Sequence, residues 1–127
     1  MKKQLDSVKQ FHKTYKIGYS NHPLADLGPE KNKLRFKLMS EENEEYLDAA
    51  NNDDIIEVAD ALGDMLYILC GTIIEHGMQD IIEPIFDEIQ KSNMSKLGED
   101  GNPIYREDGK VMKGPNYFKP DFKKFFN

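Results

Sequence analysis

Between Leu38 and Gln90 the chain carries fifteen Asp and Glu and no Lys or Arg, while Ile, Leu, Val and Met recur through the same stretch at helical spacing. A block of like charge without apolar residues stays solvated as a tail. Here the apolar residues supply a face to bury, so the segment is expected to fold as helices. A folded segment that concentrates carboxylates needs neutralisation, and a divalent cation is the natural source. The flanks hold all seventeen basic residues, and the whole chain of 127 residues carries a net charge of −6. An acidic balance repels phosphate backbones, which argues against a nucleic-acid polymer as partner.

The length suits one domain over residues 1–127, with a helical core over about 1–95 and a hairpin and tail over about 96–127. A chain of this size buries a modest core, so a partner subunit is a reasonable source of further burial. The N-terminal MKKQLDSVKQFHKTY has no apolar h-region, so no secretory signal is expected. The apolar stretch Met65 to Ile74 is too short to span a membrane. The single Cys70 lies inside it, and a lone buried thiol suits a reducing compartment. The protein is therefore expected to be cytoplasmic.

Four helices are expected. The first covers about 3–15, and Gly18, Asn21, Pro23, Gly28 and Pro29 mark a loop after it. The second covers about 30–50 and breaks at Asn51-Asn52. The third covers about 54–75, capped by Asp53 or Asp54 and stopped at His76-Gly77. The fourth follows an Asp80/Glu83 capping box and ends near Ser92. Beyond Asn93, Pro103 to Val111 reads as a β-hairpin turning at Asp108-Gly109. The aromatic, basic tail from Phe118 is expected to pack across the bundle or a neighbour. The fold class is thus all-α: a bundle of four main helices with a small C-terminal β-hairpin and tail. The third helix is apolar almost all round, which implies extensive burial and a homodimer or homotetramer built on it.

Helical geometry sorts the acids. With Leu34 set at zero, Leu38, Tyr46, Met39, Ala49 and Ala50 fall at roughly 40–160°, Glu45 near 20° and Glu42 near 80°. Glu41, Glu44, Asp48 and Lys37 fall on the opposite side. Glu42 and Glu45 therefore point inward, where an ionised carboxylate is costly unless paired or bound to metal. On the third helix, Glu57, Asp60, Asp64 and Glu75 share a strip roughly 60° wide. A solvated face usually mixes signs; this one is all acid. Facing the strip with the pair gathers several oxygens, a donor set for Mg2+ or Mn2+ rather than Zn2+. There is no glycine-rich phosphate loop, no dinucleotide fingerprint and no His-Cys cluster. His12, His22 and His76 read as surface or capping residues.

The sequence Glu41-Glu42-Asn43-Glu44-Glu45, followed by Glu57-Val-Ala-Asp60 and Asp64-Met-Leu-Tyr, resembles the ExxE…ExxD signature of the all-α NTP pyrophosphohydrolases. Ser92-Asn-Met-Ser-Lys96 and the stretch to Pro115 are similar to the MazG-like, phosphoribosyl-ATP pyrophosphohydrolase-like branch. The resemblance implies hydrolysis of an NTP or dNTP to the monophosphate and pyrophosphate, with Mg2+ or Mn2+ as cofactor. It implies metal ligands among Glu42, Glu45, Glu57, Asp60 and Asp64, and a general base at Glu42 or Glu45. Asn93 and Lys96 match the Asn-x-x-Lys segment and would meet the substrate phosphates; Arg35 and Lys37 are weaker phosphate candidates. In many relatives an acid stands three places before the last aspartate; here that place is Ala61, leaving Glu57 and Asp60 as substitutes. Two alternatives share the residues: phosphoribosyl-ATP as substrate, or a non-catalytic helical module that binds nucleotide or metal.

Overall fold

The computed structural model describes residues 1–126. It holds α1 (Lys2–Thr14), α2 (Pro29–Asn51), α3 (Ile55–Glu75), α4 (Ile82–Met94) and a short 3-10 turn, Lys123–Phe125. The chain divides into two compact units, Met1–Asp80 and the remainder from Ile81. Among the described residues no helix is long and apolar enough to cross a membrane.

In the first unit α2 and α3 pack along each other and α1 packs on α3. Pro29 opens α2 at its first turn, where the missing N–H costs nothing. Asp54 caps α3, its side chain accepting the Glu57 N–H at 3.1 Å. The end of α3 is a Schellman motif. Gly77 (φ +69°) sends its N–H to Ile74 O at 3.1 Å, and Met78 sends its own to Ile73 O at 3.0 Å. A Cβ on Gly77 would collide with the His22 carbonyl, because the loop after α1 is pinned to this helix end. Ser20 N–H bonds Ile74 O at 3.0 Å and Leu24 N–H bonds His76 O at 2.9 Å.

The core is centred on the last turns of α3, with Leu5, Val8, Ala49 and Ala61 also buried. Cys70 and Ile74 are fully buried, with Gly71, Ile73 and Glu75 beside them. Gly71 leaves room for two side chains from other helices: a Cβ there would stand 2.7 Å from Arg35 Nη2 and 2.8 Å from His12 Nε2. His12 is therefore not a surface residue. It is buried, and its Nδ1–H donates to Gly18 O at 2.9 Å.

One side of α3 departs from the expected burial. Ile55, Leu62, Leu66 and Leu69 remain 46–73% exposed. They fall within roughly 60° of one another around the helix, on the side opposite Glu57, Asp60 and Asp64. Among the described residues this stripe is only partly covered.

In the second unit Ser92 Oγ–H donates to Phe118 O at 2.8 Å, so the tail is tied to α4. Glu88 accepts the Asp121 N–H at 3.0 Å and the Lys124 ammonium at 2.9 Å. Two expectations are corrected here. The cap of α4 is Ile81, without a side-chain bond, because the helix starts one residue too late for Asp80 to cap it. The expected β-hairpin is a single antiparallel bridge, Tyr105 to Val111, closed by Arg106 N–H to Lys110 O at 2.7 Å and Met112 N–H to Ile104 O at 2.7 Å. The Asp108-Gly109 turn forms, with Gly109 at φ +88°. Pro103 on one side and Gly114-Pro115 on the other leave too little chain for a longer ladder.

Candidate functional site

On α2, Ala49 is buried and Leu38, Met39 and Glu42 are half-buried, as the spacing implies, while Tyr46 and Ala50, expected on the same face, are exposed. Glu42 lies on it, and its Oε2 is sealed from solvent without a hydrogen-bond partner. Burial pushes the Glu42 carboxyl above its ordinary value; close contact with the Glu45 carboxyl and the charges of Glu45, Asp64 and Asp60 push it further the same way. The inward glutamate of α2 and two of the predicted α3 acids thus lie within electrostatic reach of one another. Glu45 stands at the exposed rim of the face rather than inside it, and Glu57, Asp60 and Asp64 are exposed on α3.

An open groove of about 470 Å³ continues this acidic surface along the α2–α3 hairpin. It is lined by Glu45, Asp48, Ala49, Asn52, Asp54, Glu57 and Asp60. Glu45 and Asp60 are shared between the groove and the surroundings of Glu42, so the acids form one row on each helix. Asp48, expected on the outer face, also lines the groove. The signal that places it in the groove is its position three residues after Glu45, one turn further along the rim. Glu41 does lie outside, 3.9 Å from Lys37. Ala61, where the resemblance led to the expectation of an acid, is buried at 2% exposure, so a carboxylate there would enter the core.

Glu75 does not join the strip. Its Oε1 accepts the Lys31 ammonium at 2.6 Å and its Oε2 lies 3.2 Å from Arg35 Nε. Arg35 is buried, donating Nε–H to Thr72 Oγ1 at 3.1 Å and Nη2–H to Ile68 O at 2.9 Å. Glu75 and Arg35 are therefore paired in charge inside the unit, although Glu75 Oε2, like Glu42 Oε2 and Gln79 Oε1, has no hydrogen-bond partner, and Arg35 is removed as a phosphate contact.

Asn93 lies in the last turn of α4 and Lys96 just beyond it, both in the second unit. They line a pocket of about 450 Å³ with Met94, Leu97, Lys110 and Val111.

Among the described residues no group of three or more His, Cys, Asp or Glu side chains is arranged so that it could hold a metal ion. The donor set nevertheless fits a hard divalent cation. Every candidate donor is a carboxylate oxygen, and the orphaned Glu42 Oε2 is a buried acceptor that coordination would satisfy.

A family model for phosphoribosyl-ATP pyrophosphohydrolase matches residues 8–93. The chain belongs to the phosphoribosyl-ATP pyrophosphohydrolase family. The match takes in α2, α3 and their carboxylates, and stops short of Lys96. Over 50 residues the chain is 42% identical to the uncharacterized protein L479 of Acanthamoeba polyphaga mimivirus, a stretch that is 39% of this chain and 20% of that protein. The chain thus spans only a small part of that curated relative. It is 29% identical to a proposed NTP pyrophosphohydrolase from Exiguobacterium sp. 255-15 of known crystal structure, over 92% of this chain and 88% of that one, with a TM-score of 0.48.

Proposed function

We propose that this protein is a magnesium-dependent nucleotide pyrophosphohydrolase, hydrolysing an NTP or dNTP to the monophosphate and pyrophosphate. The observation that carries the reading is Glu42, half-buried with an orphaned oxygen and facing Glu45, Asp60 and Asp64. Four carboxyls held this way by two helices repel one another, which is tolerable where the function is to bind a cation. Membership of the family supplies the class of reaction.

Mg2+ or Mn2+, when bound, would neutralise phosphate oxygens and acidify a water. Glu45, Asp60 and Asp64, with Glu57 from the adjoining groove, would hold the metal together with Glu42. Glu42 or Glu45 takes the proton from the attacking water; their carboxyls are close enough to share it. No side chain needs to form a covalent intermediate. Asn93 and Lys96 would contact the substrate phosphates. The exposed stripe on α3 fits assembly as a homodimer or homotetramer, and the setting is cytoplasmic. Neither a nucleic-acid polymer nor a membrane is a partner.

The family match favours one narrower substrate, phosphoribosyl-ATP, which needs the same bond cleavage and the same residues. The test is pyrophosphate release from a panel of NTPs, dNTPs and phosphoribosyl-ATP, with Mg2+ and with EDTA. Metal-dependent release from any of them supports the reading, and the preferred compound names the substrate. Binding without release from all of them leaves a non-catalytic module.

A further inference from the structure

The second unit contains a pocket that the carboxylate site does not account for. Its walls are Met94, Leu97 and Val111, and its polar groups are Asn93, Lys96 and Lys110. Lys110 comes from the bridged segment 104–112 and lies beyond the stretch matched by the family. Its place is set by its own backbone. Lys110 O accepts the Arg106 N–H at 2.7 Å, and Lys110 N–H donates to Asp108 Oδ1 at 3.1 Å. The side chain is left free to serve the pocket.

Two of the acids on this segment, Asp108 and Asp100, are engaged, while Glu99 and Glu107 are exposed and do not line the pocket. Asp108 takes the Arg106 guanidinium on both oxygens, and Asp100 accepts the Asn102 N–H at 3.0 Å. Among the described residues neither Lys96 nor Lys110 has an ion-pair partner. Two ammonium groups line one pocket whose lining holds no carboxylate, which makes it locally positive in an acidic chain. An anion that accepts both lysines would stabilise it.

We infer that Lys110 joins Lys96 and Asn93 to bind the phosphate chain of the nucleotide, making the segment 104–112 a substrate-recognition element. This deepens the proposed function and rests on it for the identity of the ligand. The occupant is a condensed phosphate, because two ammonium groups and one amide suit an anion with several oxygens. The walls admit the less polar part of a nucleotide.

The first experiment is metal-free, so it does not depend on catalysis. Inorganic pyrophosphate is titrated into the full chain in EDTA, and the methyl resonances of Leu97 and Val111 are followed by NMR. Saturable shifts are expected, with affinity falling about tenfold in Lys110→Gln, the loss of one charge-assisted contact. Lys113→Gln, whose ammonium lies over the Tyr117 ring at 4.8 Å, should bind as the parent does. No shift, or equal binding by Lys110→Gln, overturns the inference. The second experiment measures pyrophosphate release. Lys110→Gln should raise KM about tenfold and leave kcat within about twofold, the pattern for binding that is equal in ground and transition states. An unchanged KM also overturns the inference. A parent protein inactive on every nucleotide would sink the proposed reaction, while the titration would still decide the pocket.

Discussion

Arg35 on α2 and Glu75 on α3 meet at 3.2 Å, with 7% and 3% of their side chains exposed. Burial lowers the Arg35 pKa, and the Glu75 charge works against that shift. Such a pair is costly to assemble and more costly to break, because the survivor keeps its charge without a partner. Glu75→Gln should therefore destabilise the protein by roughly 3 kcal/mol, read as a lower midpoint in urea. Pyrophosphate release per folded molecule should stay near the parent value, since Glu75 is separate from the row that includes Asp64. Loss of activity at unchanged stability would return Glu75 to the metal site.

How far that division could be read from the sequence is instructive. Glu42 was legible, because Leu38 and Met39 define the inner face and Glu42 falls between them around the helix. The same scale puts Arg35 near 100°, beside Glu42 on the inner face, so a buried cation in need of an acid was also readable. Its partner was not, since Glu75 lies forty residues away and shares its helical angle with Asp64. Only the fold shows that the end of α3 meets Lys31 while its beginning meets solvent. The Asp108-Gly109 turn was legible from composition, but one bridge instead of a hairpin reflects how few cross-strand bonds the flanking prolines and glycine allow.

Metal should raise stability. Millimolar Mg2+ relieves the repulsion among Glu42, Glu45, Asp60 and Asp64 and binds only the folded form, so it should shift the thermal midpoint upward by a few degrees relative to EDTA. The shift should vanish in Glu42→Gln. Coincident melts of the parent in Mg2+ and in EDTA would remove the metal from this site.

Assembly can be checked by mass. Light scattering at micromolar concentration should give at least twice the 14.7 kDa of one chain. Leu62→Glu with Leu66→Glu, placed in the exposed stripe, should shift the protein toward monomer. A parent that is already a monomer would mean that the stripe stays open in solution.

Glu88 gives the tail a pH dependence of known sign. The Asp121 N–H, and then the Lys124 ammonium, hold its carboxyl below the ordinary glutamate value. The folded form thus gives up this proton more readily than the unfolded chain. The stabilisation is present above the ordinary carboxyl range and is lost as pH falls through the lowered value. Hydrogen exchange at the Asp121 amide should quicken over that acid range in the parent, and Glu88→Gln should abolish the extra acid sensitivity. An identical pH profile in the two proteins would free the tail from this contact.

The sharpest test separates glutamates that look alike in sequence. Glu42→Gln or Glu45→Gln should reduce pyrophosphate release by on the order of 10²-fold or more, the scale for losing a metal ligand or a general base. Glu44→Gln should stay close to the parent, as surface charge changes usually do. Glutamine keeps the shape and removes the charge, so a loss of rate reports electrostatics and not packing. Glu42 is half-buried with Oε2 sealed, and Glu45 stands beside it at the rim, whereas Glu44 is exposed and outside both the groove and the Glu42 cluster. In the absence of metal, Glu42→Gln should also unfold at a higher temperature than the parent, because it removes a buried charge that three neighbouring carboxyls repel. Activity preserved in both Glu42→Gln and Glu45→Gln would move the chemistry off α2. Activity lost in all three would mean that the polar face of α2 contributes as well, and that a second surface of the helix meets the substrate.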